Sequence, residues 1–196
     1  MTWGEIQIES LKKMFSNKDD LSVDSLEEYK KTKAYKLYLF AMAQATNEAI
    51  NYIVNLLGSN QKIEKLTKTN GALYNLQEIF KDYKLLNEII VSEGNVSYER
   101  ITKNIIQINN WTNEEVKVLY EVKPTVINSS TQDSHKIEIE EEYARIIPLY
   151  VAGELYKDDD LTIATMYMNE FISMMNTFVT NKKDFVIPSF DRVFEI

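Results

Sequence analysis

The spacing of the hydrophobic residues changes twice along this chain of 196 residues, and that change restricts the folds open to it. Apolar residues recur at helical spacing up to Leu57 and again from about Glu140, whereas short β-branched and aromatic runs fill the region between. A helical pattern does not suit a pleated strand. The sequence therefore predicts an α+β fold: a helical bundle formed by the N- and C-terminal helices, with an inserted β-sandwich-like domain.

The domain organisation follows from the same pattern. We predict N-terminal helices of the bundle over residues 1–58, an inserted β-rich domain over 59–139, C-terminal helices over 140–180 and an extended C-terminal tail over 181–196. Within the β-rich domain, Val116, Val118, Tyr120 and Val122 alternate as in a strand with one buried face. Turn-forming residues at 92–95 and 108–115 predict hairpin turns.

The longest N-terminal helix should run from about Lys33 to Leu57 and end at Gly58, because glycine readily takes the left-handed conformation that terminates helices. Its apolar residues cover a wide arc of the helix surface. Such a helix is either buried on several sides within its own subunit or shared with a neighbouring subunit. The first arrangement, a central core helix, is the commoner one.

The C-terminal region predicts two further helices and a tail. Pro148 should kink or restart the first helix, because proline removes a backbone donor and clashes with the preceding turn. An apolar seam at helical spacing predicts the second helix, through Leu161, Ala164, Met168, Phe171, Met175 and Phe178. The extended apolar tail either packs back on its own helices or docks on a partner through Phe185, Ile187, Pro188, Phe190 and Phe194.

Asp158, Asp159 and Asp160 lie between these two helices and could form a metal site, a catalytic group or a helix cap. A helix-loop-helix calcium site needs glycine at its sixth position and glutamate at its twelfth. Counted from Asp158, those positions hold Ile163 and Asn169. We therefore predict a helix cap, with Asp158 as the capping residue and the next two aspartates in the first helical turn.

The remaining candidates for chemistry are few. Glu140, Glu141 and Glu142 could supply an acid pair only if the fold gathers them, and His135 lies in a polar turn. The sequence has no cysteine and no local motif for a nucleophile, a phosphate cradle or a zinc site. We therefore expect no catalytic, cofactor-binding or metal-binding residues and no enzymatic activity.

Trp111, together with Tyr98 or Tyr120, is either a platform for stacking sugars or a partly buried aromatic residue of the β-rich domain. The first arrangement would suit a binding module, and the second is the commoner use of such a residue.

The net charge and the hydropathy of the chain restrict its binding partners and its cellular location. A net charge of −8 disfavours tight binding to nucleic acid, because proteins that grip phosphates present a basic face. Glu5 and Glu9 interrupt the apolar run that a signal peptide would need, and no apolar stretch is long enough to span a membrane. We expect a cytosolic, soluble protein.

One segment resembles a known family. The stretch from Glu142 to Met175 resembles the C-terminal helices of head-tail connector (adaptor, or neck) proteins of tailed bacteriophages, and the N-terminal helices look like the opening of this family. The residues that carry the resemblance are Ile147, Pro148, Tyr150, Ala152, Leu155, Tyr156, Asp158, Asp159, Ala164, Tyr167, Asn169, Glu170 and Phe171. The pattern is one of helix packing and contains no catalytic residue.

The resemblance implies a structural virion protein, a subunit of a homo-oligomeric ring that is typically a dodecamer. Such a ring binds beneath the portal protein, contacts downstream neck or tail proteins, and lines the channel through which DNA passes without specific binding. The protein would lie in the neck of the virion after assembly in the bacterial cytoplasm. We expect subunit or helix packing through Pro148, Tyr150, Ala152, Leu155, Tyr156, Leu161, Ala164, Tyr167, Met168, Asn169, Phe171 and Met175. The alternative is a binding module whose β domain recognises carbohydrate or protein at the particle surface.

Overall fold

The structure, a computed structural model, describes residues 1–15, 27, 30–31, 33–91, 96–111 and 115–184. As predicted, the fold is α+β: N- and C-terminal helices pack together, and two small antiparallel sheets of three strands are inserted between them. The elements are α1 (Trp3–Phe15), α2 (Lys33–Leu57), β1 (Gln61–Lys65), β2 (Leu73–Asn75), α3 (Leu76–Ile79), β3 (Tyr83–Val91), β4 (Ser97–Arg100), β5 (Ile105–Asn109), β6 (Val116–Val122), α4 (Glu141–Ala144), α5 (Ile147–Tyr156) and α6 (Leu161–Asp184).

The chain divides into two compact units. The helical unit comprises Met1–Leu57, Ile127–Lys136 and Glu141–Ile196, and the strand unit comprises Gly58–Val126 and Ile137–Glu140. Asn47 of α2 binds the segment Ile127–Lys136, which we call the returning chain. The Asn47 carboxamide donates to the Ile127 carbonyl at 2.7 Å and accepts from the Ile127 amide at 2.8 Å.

The centre of the helical unit is α5, which packs against α1, α2 and α6. Pro148 lies in the first turn of α5, where a missing backbone donor costs least, so the predicted restart of the helix is confirmed. Gly153 permits close approach of α6, since a Cβ atom there would lie 3.3 Å from the Ala164 carbonyl oxygen. Most α5 side chains are buried.

The helix α2 has the predicted bounds, and Gly58 follows it with φ of 82°, in the left-handed region. The expectation that α2 is the central core helix is wrong. One face, including Met42, Ala49 and Ile53, is buried, but large apolar side chains on the opposite face remain exposed. The short helix α5 takes the central position because it is apolar on nearly all sides.

In the strand unit, the sheets have the orders β1-β6-β3 and β2-β5-β4. Side chains from both sheets form one core, which includes Tyr74, Leu86, Ile106 and Tyr120. The predicted alternation in β6 is confirmed, since Val116, Val118 and Tyr120 are buried while Lys117 is exposed.

The predicted hairpins at 92–95 and 108–115 are wrong. The strands that flank residues 92–95 are β3 and β4, which belong to different sheets. The same is true of β5 and β6, which flank residues 110–115. Turn-forming residues indicate where a strand ends but not which strand pairs with it, so the sequence could not distinguish a hairpin from a crossing between sheets.

Candidate functional site: an assembly surface

The aspartate turn caps α6 through one residue. Asp160 accepts hydrogen bonds from the amides of Thr162 and Ile163, with donor–acceptor distances of 2.9 and 3.1 Å. Asp158 and Asp159 are exposed in the turn before it. The capping residue is therefore Asp160 and not Asp158.

The reason for this shift is the end of α5. The amides of Asp159 and Asp160 both donate to the carbonyl of Tyr156, at 3.0 and 2.8 Å, so they are already satisfied by the preceding helix. The amides of Thr162 and Ile163, the second and third residues of α6, have no acceptor within the helix, and Asp160 is at the right spacing to accept from them.

The other acidic candidates are not gathered into a site. Glu140, Glu141 and Glu142 are all exposed, and Glu141 pairs with Arg145 at 2.8 Å, which lowers the pKa of the Glu141 carboxyl. The carbonyl of His135 accepts a hydrogen bond from the Trp3 amide at 2.8 Å, which ties the turn to α1. Within the described ranges, no group of three or more histidine, aspartate or glutamate residues could hold a metal ion.

Trp111 is half-buried against the core of the strand unit. Its ring centroid lies 5.5 Å from that of Tyr74. Tyr120 is fully buried and stacks on Phe80 at 5.0 Å, so it offers no face to a ligand. This arrangement counts against a sugar-stacking platform built from Trp111 and Tyr120.

The predicted packing residues divide by burial. Leu161 and Asn169 are exposed within the single chain, in contrast to the other members of the set. The fully buried members are Pro148, Ala152, Ala164, Phe171 and Met175, and the half-buried members are Tyr150, Leu155, Tyr156, Tyr167 and Met168. The predicted docking residues of the tail, Phe185, Ile187, Pro188, Phe190 and Phe194, lie outside the described residues.

Two tyrosines of the packing set cap the C-terminus of α1. The hydroxyl of Tyr167 donates to the Lys13 carbonyl at 3.0 Å, and the hydroxyl of Tyr156 donates to the Met14 carbonyl. The last carbonyls of a helix have no partner within the helix, so these bonds satisfy groups that would otherwise need water. Burial raises the pKa of both tyrosines, which keeps the hydroxyls as donors.

Tyr150 joins α5 to the other two long helices. Its ring meets that of Phe171 edge-on, with centroids 5.1 Å apart, and its hydroxyl donates to Glu48 at 3.4 Å. Burial, followed by the nearby carboxylates of Glu154 and Glu48, raises the pKa of Tyr150 to about 12. The residue therefore stays neutral and serves as a packing and hydrogen-bonding group.

The exposed face of α2 carries the two most exposed large apolar side chains among the described residues. Leu37 is 76% exposed and Phe40 is 71% exposed, and they lie one helical turn apart. Phe40 also borders a groove of about 380 Å³, lined by Ala43, Asn47 and Asn51 of α2 and by Ile127 and Ser129 of the returning chain. Contiguous exposed apolar surface of this kind marks interaction sites.

Neither Leu37 nor Phe40 was among the residues predicted from sequence. The signal that could have indicated them was the wide apolar arc of α2. From sequence alone, that arc could be buried within the same subunit or packed against a neighbouring subunit. A second exposed apolar group lies at the start of α6, where Leu161 is 69% exposed.

The chain matches no protein-family model and none of the curated proteins in sequence. In the part of the chain that the structure covers, no helix is both long and apolar enough to cross a membrane.

Proposed function

We propose that this chain is a structural subunit of the head-tail connector of a tailed bacteriophage. Many copies form a ring, a dodecamer by the resemblance to this family, that binds under the portal, joins the capsid to the tail and lines the DNA channel. The observation that carries the proposal is the exposed apolar face of α2, because a solvent-exposed Leu37 and Phe40 on a long rigid helix need a partner surface.

The residues that carry the family resemblance support this role. Tyr156 and Tyr167 hold α1 against the C-terminal helices, and Ala164 lies against Gly153 where α5 and α6 approach most closely. These contacts tie α1, α5 and α6 to one another. A rigid unit is what a ring requires, since each subunit must hold its two interfaces at a fixed angle.

The proposal is for a structural protein and not for an enzyme. The carboxylates considered as candidates have structural or solvent-exposed positions: Asp160 caps α6, Glu141 pairs with Arg145, and Asp158 and Asp159 are exposed. A catalytic role would need such groups to converge on a pocket.

The acidic composition suits the proposed channel. With a net charge of −8 per copy, a ring would repel the phosphates of DNA and let the duplex slide without specific binding. The wall of the channel should therefore be acidic in a structure of the assembled ring, and a basic wall would contradict this part of the proposal.

The test is native mass spectrometry of the purified chain, alone and mixed with the portal protein of the same phage. We expect a closed ring of this chain on the portal, and Leu37→Lys/Phe40→Lys should abolish it. A matched control is Ile79→Lys, because Ile79 is an exposed apolar residue of the strand unit. A chain that remains monomeric and never joins the portal would refute the connector role.

A further inference from the structure

The first turn of α2 carries charge of the wrong sign for a helix start. Lys33 and Lys36 are exposed there, and the turn contains no acidic residue. The N-terminus of a helix has a partial positive charge, so lysines at this position are unfavourable unless an anionic partner covers them. Neither lysine forms an ion pair with another residue in the described ranges.

These lysines adjoin the exposed apolar residues of the same helix. Projected down the helix axis, Lys33, Lys36, Leu37 and Phe40 fall within an arc of about 100°. We call these four residues the basic apolar face. An occupant of this face should combine acidic groups with an apolar side chain that can enter the groove beside Phe40.

The chain itself carries such a surface at the junction of α5 and α6. Asp158 and Asp159 are exposed and form no ion pair with any residue that the structure covers, and Leu161 next to them is 69% exposed. We call these three residues the acidic corner. Asp160 is not part of it, because its carboxylate is used to cap α6.

The two surfaces lie at the same end of the helical unit. Helices α2 and α5 run antiparallel. Tyr150 contacts Glu48, whereas Tyr143, which precedes α5, contacts Phe178, about one turn from Lys182, which donates to the Leu57 carbonyl at the end of α2. The start of α2 is therefore level with the acidic corner.

The same two surfaces nevertheless point to different sides of the unit. Met42 marks the buried side of α2, and Leu37 and Phe40 lie about 140° and about 160° away from Met42 around the helix axis. This separation explains why these opposite charges, at one end of the helical unit, do not pair with each other in the described part of the chain.

We propose that the acidic corner of one copy docks on the basic apolar face of the next copy, with Leu161 in the groove beside Phe40. The contact is head-to-tail, and it repeats around the ring because cyclic symmetry requires complementary surfaces at the same level on two different sides of the subunit. This inference rests on the proposed ring. It identifies the charged residues that pair across the contact between neighbouring copies, Lys33 and Lys36 on one copy with Asp158 and Asp159 on the next.

Disulfide trapping tests the contact directly, because the sequence contains no cysteine. A chain with both Phe40→Cys and Leu161→Cys should give a ladder of covalent multimers when it is oxidised and run on a non-reducing gel. The matched control combines Leu56→Cys with Leu161→Cys, since Leu56 is exposed on α2 about four turns farther along. The control should give no ladder.

Three results of the trapping experiment would overturn the proposal. An internal disulfide within one chain would mean that the two surfaces meet in the same copy. Covalent dimers without higher species would mean a two-fold contact instead of a ring. A disulfide between Phe40→Cys and Phe190→Cys, with none between Phe40→Cys and Leu161→Cys, would mean that the C-terminal tail occupies the groove.

Charge reversal tests the proposed ion pairs. Lys33→Glu/Lys36→Glu and Asp158→Lys/Asp159→Lys should each weaken self-association at least about tenfold in analytical ultracentrifugation at low salt, because like charges then face each other. Combining all four substitutions in one chain should restore association. Lys103→Glu/Lys123→Glu changes the net charge as Lys33→Glu/Lys36→Glu does, at exposed lysines of the strand unit, and should have little effect.

The outcomes separate this inference from the proposed function. Rings that form on the portal regardless of both reversals would refute the charge-paired contact and leave the connector role intact. A chain that forms no ring under any condition would refute the connector role itself. Circular dichroism of each variant establishes that loss of association is not loss of folding.

Discussion

Replacing Asp160 by alanine should destabilise the helical unit, and replacing Asp158 should not. Asp160 accepts two amide hydrogen bonds, at 2.9 and 3.1 Å, and places a negative charge at the start of α6. The cap contributes about 1 kcal/mol and the charge about 0.3–1 kcal/mol. For a chain of this length, we expect the Tm of Asp160→Ala to fall by about 3–6 °C.

Two variants separate the cap from the charge. Asp160→Asn keeps a capping oxygen but removes the charge, so it should lose only the smaller contribution. Asp158→Ala removes an exposed carboxylate that makes no hydrogen bond to α6 and should change the free energy of unfolding by less than about 0.5 kcal/mol.

The assay is thermal and urea unfolding followed by the fluorescence of Trp3, which is buried in the helical unit. A Trp111→Phe background removes the only other tryptophan, so the signal reports on the helical unit alone. A Tm that falls equally in Asp158→Ala and Asp160→Ala would refute the assignment of the cap.

Three further predictions concern the packing of the helical unit. Gly153→Val should destabilise it by about 1–3 kcal/mol, measured by urea unfolding, because its Cβ would already lie 3.3 Å from the Ala164 carbonyl oxygen and its two methyl groups would have to enter the contact between α5 and α6. Tyr167→Phe should cost about 1 kcal/mol in the same assay and speed amide exchange in α1, because it removes the hydrogen bond to Lys13. The pKa of Tyr150 is about 12 in the folded chain, above the value of 10.0 for a free tyrosine. Its contribution to stability is therefore complete below pH 10 and is lost as the pH rises to 12, so Tyr150→Phe should flatten the fall in Tm over that range.

Local signals in the sequence were sufficient for the bounds of α2 and for the start of α5. The bounds of α2 and its end at Gly58 follow from periodicity and from the backbone freedom of glycine, and the start of α5 follows from the geometry of Pro148. These features depend on a few neighbouring residues. They could therefore be predicted before any tertiary contact was known.

Features that depend on distant contacts could not be predicted in this way. The position of the cap depended on how many of the following amides donate to carbonyls at the end of α5. The pairing of the strands depended on which sheet each strand joined. The exposed face of α2 is a third example. Leu37 and Phe40 are residue types that are common in protein cores. Only the packed unit shows that α5, and not α2, occupies the centre.

The tyrosine caps of α1 also set an order of events during synthesis. They join Lys13 to Tyr167 and Met14 to Tyr156, pairs separated by 154 and 142 positions in the chain. When α1 and α2 leave the ribosome, the helices that cover them have not yet been made, whereas every strand of the inserted unit has emerged before α5 begins. The strand unit can therefore fold first, while the apolar faces of the first two helices remain uncovered until α5 and α6 have been made. The proposed ring could then form only from chains in which α6 has been made, because α6 completes the packing around α5.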